Sequence, residues 1–216
     1  MKKQADIVIA QYNEPLKWIS TLDSNIISKI YIYTKNRQNI TEITHPKIPI
    51  SRVYLPNIGR EAHTYLHHII NHYNKLSDFI FFVQGSHATL SVPCINRIYN
   101  KFIMNPLVTR TDNFDKSQSF YLGSELKLRR WRGCALKDTG MKFPEWYKKN
   151  INNNLPRQPY AIYWEANFGV RKENILSRSK QYYIDLISQL DENNTEVAHF
   201  LERSWFYLFN LQNHSM

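Results

Sequence analysis

The sequence predicts an α/β domain, a mostly parallel central sheet flanked by helices and broken by a long irregular insertion. Three observations predict it. Short apolar runs alternate with helical patterns through the first half, as in βαβ units. One run, Phe79-Ile80-Phe81-Phe82-Val83, is apolar at every position, as a central strand covered on both faces requires. Each run stops at polar residues, where open parallel sheets hold their ligands.

Taken in order, Ile7-Val8-Ile9-Ala10 reads as the first buried strand and ends at Gln11, Asn13 and Glu14. Pro15 then opens a helix expected to reach about Ile27. Ile30-Tyr31-Ile32-Tyr33 is the second strand, followed by Thr34, Lys35 and Asn36; Val53-Tyr54-Leu55 is the third, ending at Pro56-Asn57. From Glu61 to Leu76, Ala62, Tyr65, Leu66, Ile69, Ile70, Tyr73 and Leu76 share one helical face. The run at 79–83 stops at Gln84-Gly85-Ser86-His87. Residues 105–159 are polar, basic and aromatic, and read as an irregular insertion or lid with short helices at best. Strand character returns at Tyr160-Ala161-Ile162-Tyr163 and Phe168-Gly169-Val170. Two helices follow, Lys172 to Leu190 with a break near Ser177, and Thr195 to Leu211. Without a repeat or linker, residues 1–216 are expected to form one domain.

Composition narrows the function classes. Hydrophobic residues at 43% and aromatics at 14% argue against a disordered chain. The net charge of +10 favours anionic partners, although the basic residues are scattered and only Lys127 to Arg132 (KLRRWR) is dense. That cluster, with Trp131, fits nucleic-acid stacking, a phosphate-binding loop or a solvated basic face equally; without a binding motif no specific nucleic acid is expected. Two cysteines, Cys94 and Cys134, are too few for a disulfide framework and have no zinc spacing. A soluble, cytoplasmic protein is expected. No run approaches a membrane span, and peripheral membrane contact rests on the basic surface alone.

Candidate site residues gather by topology. The strand ends bring Gln11, Asn13, Lys35, Asn57, Gly59, Arg60, Glu61, Gln84 and His87 toward one edge. Asn57-Ile58-Gly59-Arg60-Glu61 joins a strand to a helix N-terminus, where free N–H groups and Arg60 suit an anion. The same residues also fit a plain turn in which Asn57 caps the helix. His63/His67 and His68/His72 have the i,i+4 spacing of metal-binding pairs, but the pairs flank the apolar face on opposite sides and are better read as boundary histidines packed on Tyr65 or Tyr73. Trp164, Glu165 and Asn167, beside small Ala166 and Gly169, form a surface for a ring-shaped ligand, or ordinary strand packing. Glu202, among Phe200, Leu201, Trp205 and Phe206, fits a general base of raised pKa, or an ion pair with Arg203 or a lysine.

The block NIGREAHTYLHHI, the early segment IVIAQYNEPLKW (Ile7 to Trp18), Tyr33-Thr34-Lys35, Glu165 to Arg171 and Glu202-Arg203-Ser204-Trp205 resemble a poorly characterised domain-of-unknown-function family. Its block order is in turn similar to glycosyltransferases of the GT-A type, a Rossmann-like fold that uses nucleotide sugars. That resemblance implies a nucleotide-sugar donor bound by the strand-end residues. It also implies a carbohydrate acceptor near Trp164, Glu165 and Asn167, and Glu202 as the base that deprotonates an acceptor hydroxyl. GT-A enzymes hold manganese or magnesium on an Asp-x-Asp motif after the central strand. Here that place reads Gln84-Gly85-Ser86-His87, and no Asp-x-Asp occurs in the chain. The expectation is therefore a transferase without a tightly bound metal, its leaving diphosphate met by Arg60, Lys35 and His87. The rivals are a non-catalytic carbohydrate- or nucleotide-binding module and a nucleic-acid-binding protein.

Overall fold

The computed structural model describes residues 5–36, 43–86, 130–131, 134–155, 166–191 and 195–209. Strand β1 (Ala5–Gln11) pairs in parallel with β2 (Ile27–Thr34), and β2 in parallel with β3 (Ile50–Tyr54). Helix α1 (Arg60–His72) carries the chain to β4 (Phe79–Gln84), which joins β1 on its other side, again in parallel. Two short strands, β5 (Arg130–Trp131) and β6 (Cys134–Ala135), pair antiparallel outside the main sheet. After α2 (Phe143–Asn150), β7 (Phe168–Arg171) adds an antiparallel edge to β4. The sheet order is β3-β2-β1-β4-β7. Helices α3 (Lys172–Leu176), α4 (Lys180–Ile187) and α5 (Glu196–Phe209) close the described chain. The predicted α/β class with a mostly parallel sheet holds, and the helix expected over Lys172 to Leu190 does break at Ser177.

The two faces of β4 divide as its sequence requires. Ile80 and Phe82 join a large core with Tyr65, Leu66, Trp146, Tyr183, Phe200 and Trp205 from the helices. Phe79, Phe81 and Val83 join a second core with Leu16, Ile19, Leu22 and Ile48. This second face differs from expectation, because no α-helix covers it among the described residues. The helix expected from Pro15 to Ile27 is a 3-10 turn over Lys17–Thr21. Leu16, Ile19 and Leu22 recur every three residues, the 3-10 period. Asp23 then stops the turn. Its carboxylate accepts from the Asn25 backbone and side chain at 2.8 and 2.9 Å, and its carbonyl accepts from Ile26 and Ile27.

Most of the expected insertion, the strand at 160–163, His87, Trp164 and Glu165 lie outside the described residues. Within 105–159, Phe143, Trp146 and Tyr147 of α2 are buried in the larger core, so this part of the stretch is integral to the fold.

Candidate active site

The strand tips are tied to one another by side chains. Thr34 at the end of β2 donates to Gln11 Oε1 at 2.8 Å, and Gln11 Nε2 donates to the Glu14 carbonyl at 2.9 Å. Backbone N–H groups continue the tie, from Lys35 to the Gln11 carbonyl and from Gly85 to the Ala10 carbonyl. Asn167 is buried and accepts from the Gln84 N–H at 2.8 Å, clipping the end of β4 to the start of β7. Both ends of the Gln11 amide, and the Asn167 oxygen, are thus engaged within the protein. Asn13 is exposed, and its N–H donates to the Glu14 carboxylate.

The turn that opens α1 sits against the tip of β2. Gly59 and Arg60 both take left-handed backbone, at φ +57 and +50. For Arg60 this conformation costs about 1–2 kcal/mol, so the surroundings must hold it. Lys35 does so: its ammonium donates to the carbonyls of Ile58 and Arg60. The cap position is Gly59, without a side-chain cap bond, and Asn57 is exposed, so the alternative in which Asn57 caps the helix does not hold; the turn is held through its carbonyls by Lys35 instead. An asparagine two residues too early cannot reach the first free N–H groups once Gly59 turns left-handed.

This clamp delivers Glu61, the second residue of α1, toward Glu202 of α5. Burial, then the negative charge of Glu202, pushes the Glu61 carboxyl up to about 7. Burial holds the Lys35 ammonium down to about 7, opposed by Glu61. One turn further along α1, the Tyr65 hydroxyl is fully buried and has no hydrogen-bond partner among the described residues. Burial and the charges of Glu61 and Glu202 raise its pKa. Glu202 Oε2 also lies 3.7 Å from Nδ1 of buried His199. The arrangement is two carboxyl groups with a lysine, a phenol and an imidazole around them. The Glu61 carboxyl therefore titrates in the neutral range, where it can hold or release a proton. Glu202 and Glu61 are both candidates from the sequence but not as a pair, and Tyr65 and His199 are not among the candidates. The i,i+4 spacing of Glu61 and Tyr65, and the i,i+3 spacing of His199 and Glu202, were the available signals.

The histidines of α1 serve the packing. His68 Nδ1 and the Tyr33 hydroxyl are 2.9 Å apart, and both are buried. His68 stacks on His72 at 4.4 Å, and His63 on His67 at 6.1 Å. Their aromatic partners are Tyr31 and Tyr33 of β2, where the sequence pointed to Tyr65 and Tyr73. A helix lying across a parallel neighbour meets that strand's side chains before its own. Among the described residues no group of three or more His, Cys, Asp or Glu is placed to hold a metal ion. The described carboxylate beside the β4 end is Glu14, and its Oε2 accepts from the N–H groups of Tyr12 and Asn13 at 2.7 and 3.2 Å. These residues do not fit a divalent ion. Among the described residues no helix is long and apolar enough to cross a membrane.

The family model described as "Protein of unknown function (DUF3431)" matches residues 7–216. No curated protein matches the chain.

Proposed function

The chain belongs to this family of unknown function, and from that premise we propose that it is a glycosyltransferase-like protein. In this reading it moves a sugar from a nucleotide-sugar donor to a hydroxyl acceptor, acting in the cytoplasm. The observation that carries the reading is the Glu61–Glu202 pair, set at the helix turn against the tip of β2, with Glu61 held up to about 7. Glu202 takes the proton of the acceptor hydroxyl as its oxygen bonds to the anomeric carbon. The bond from that carbon to the diphosphate breaks, and the electron pair leaves with the nucleotide. The Glu61 carboxyl, raised toward neutrality, stands beside Glu202. Lys35 positions the turn and Arg60 supplies the cationic charge beside it.

Calorimetric titration with UDP-glucose, UDP-galactose and UDP-N-acetylglucosamine, with and without manganese, tests the reading. Donor binding is expected without manganese. Glu202→Gln should keep donor affinity and lose turnover by about 100-fold or more, as removal of a general base does. An absence of binding by any of these donors at millimolar concentration sinks the transferase reading. Binding with turnover unchanged in Glu202→Gln leaves the second reading, a non-catalytic carbohydrate- or nucleotide-binding module. That module is favoured by the commitment of Gln11 and Lys35 to internal contacts.

A further inference from the structure

Away from the carboxylate pair, a cavity of about 430 Å³ opens between α2, the C-terminal end of α4 and the segment at 137–141 that bridges to Thr195. None of its lining residues belongs to the Glu61–Glu202 site. Its volume lies in the range of small-molecule sites, about 300–1,000 Å³. One wall is fixed by a chain of hydrogen bonds. The Trp146 indole N–H donates to Gln189 Oε1 at 2.8 Å, Gln189 Nε2 donates to Asn150 Oδ1 at 2.9 Å, and Asn150 Nδ2 donates to the Trp146 carbonyl at 2.8 Å. Trp146 is 1% exposed, so the wall is anchored in the core.

The charged lining decides what fits. Lys137 and Asp191 satisfy each other at 2.5 Å. Asp185 accepts from Gln181 on Oδ1, and its other oxygen has no partner among the described residues. Lys149 also lines the cavity and has no hydrogen-bond or ion-pair partner among the described residues. An anion would meet Asp185 and Asp138, and a cation would meet Lys149 and Lys137. An apolar ligand would strip water from all four without replacing the hydrogen bonds they lose. A neutral ligand rich in hydroxyls suits both signs, because each hydroxyl donates to a carboxylate and accepts from an ammonium.

We propose that this cavity is a carbohydrate-binding site, taking one neutral sugar unit between the Asp185 carboxylate and the Lys149 ammonium. The inference stands on the cavity and not on the transferase reading. The test is a proton–nitrogen correlation spectrum of the full chain, titrated with glucose, galactose, mannose and N-acetylglucosamine to about 50 mM, enough to detect millimolar affinity. The Trp146 indole N–H, identified by its loss in Trp146→Phe, reports on the fixed wall. At least one sugar is expected to shift this resonance saturably. Asp185→Ala and Lys149→Ala should each weaken that binding about 10-fold or more. Both side chains are exposed, so both variants are expected to fold, which a thermal melt checks. The proposal is overturned if no sugar moves the resonance, if both variants bind as tightly as the parent, or if inorganic phosphate produces the larger shift.

Discussion

A methyl group at Gly59 would lie 2.7 Å from Leu190 Cβ and 2.9 Å from His63 Cβ, on a backbone at φ +57. Gly59→Ala should therefore cost about 2–4 kcal/mol from the left-handed conformation and the overpacking together. Urea unfolding measures it, and a loss below about 0.5 kcal/mol would show that the turn yields. At Glu61 the prediction is one of pH. Its carboxyl rises from 4.5 to about 7 on folding, so the folded state holds the proton more tightly than the unfolded chain. Its stabilising share is present below the lower value and lost as pH rises through about 7. Glu61→Gln should remove that loss and gain on the parent between pH 5 and pH 8, by about 2 kcal/mol after allowance for partial exposure. Equal differences at the two pH values would mean that Glu61 does not carry the buried proton.

Among the elements, β7 shows how closely the edge strand is fitted. A Cβ at Gly169 would stand 2.5 Å from Phe79 Cζ, on a strand whose pairing register sets Gly169 opposite Phe81. Gly169→Ala should cost about 1–3 kcal/mol and loosen the pairing with β4. Hydrogen exchange at Phe168 and Val170 would speed up, while exchange in β2 would not. The strands themselves were readable from the sequence, because buried runs such as 79–83 are too apolar to be anything else. So was the break at Ser177. What misled was periodicity shared by two structures: Leu16, Ile19 and Leu22 fit a helix face and a 3-10 turn alike, and only the Asp23 bonds decide between them. The site was readable as a strand edge but not as a pair. Glu61 and Glu202 are separated by most of the chain, and packing of α5 beside α1 brings them within electrostatic reach.

At the scale of the molecule, a +10 chain folds a row of imidazoles against the tyrosines of β2. Burial, with Lys35 and His67 adding to it, holds His63 down to about 4. Burial also lowers His67, with His72 and Lys35 contributing, and holds His68 well below its ordinary value, with His72, His67 and Lys29 contributing. For each group the unfolded chain takes up a proton near pH 6.5 that the folded chain refuses. The stability they carry is present above that value and lost as pH falls below it. Glu61 acts in the opposite sense over the same window, and Asp6, raised chiefly by burial, acts in that sense too; against these two carboxyls stand three imidazoles, and the molecule's own positive charge adds repulsion. Net stability should therefore fall from pH 7 to pH 5. An imidazole that stays neutral in the fold accounts for up to about 2 kcal/mol between pH 6.5 and 5. His68→Gln keeps an acceptor for the Tyr33 hydroxyl, now 2.9 Å from the imidazole, and adds no titrating group. It should be less stable than the parent at pH 7 and lose less on acidification, so the two urea midpoints converge toward pH 5. Parallel pH profiles would place the acid sensitivity elsewhere than in the buried histidine row.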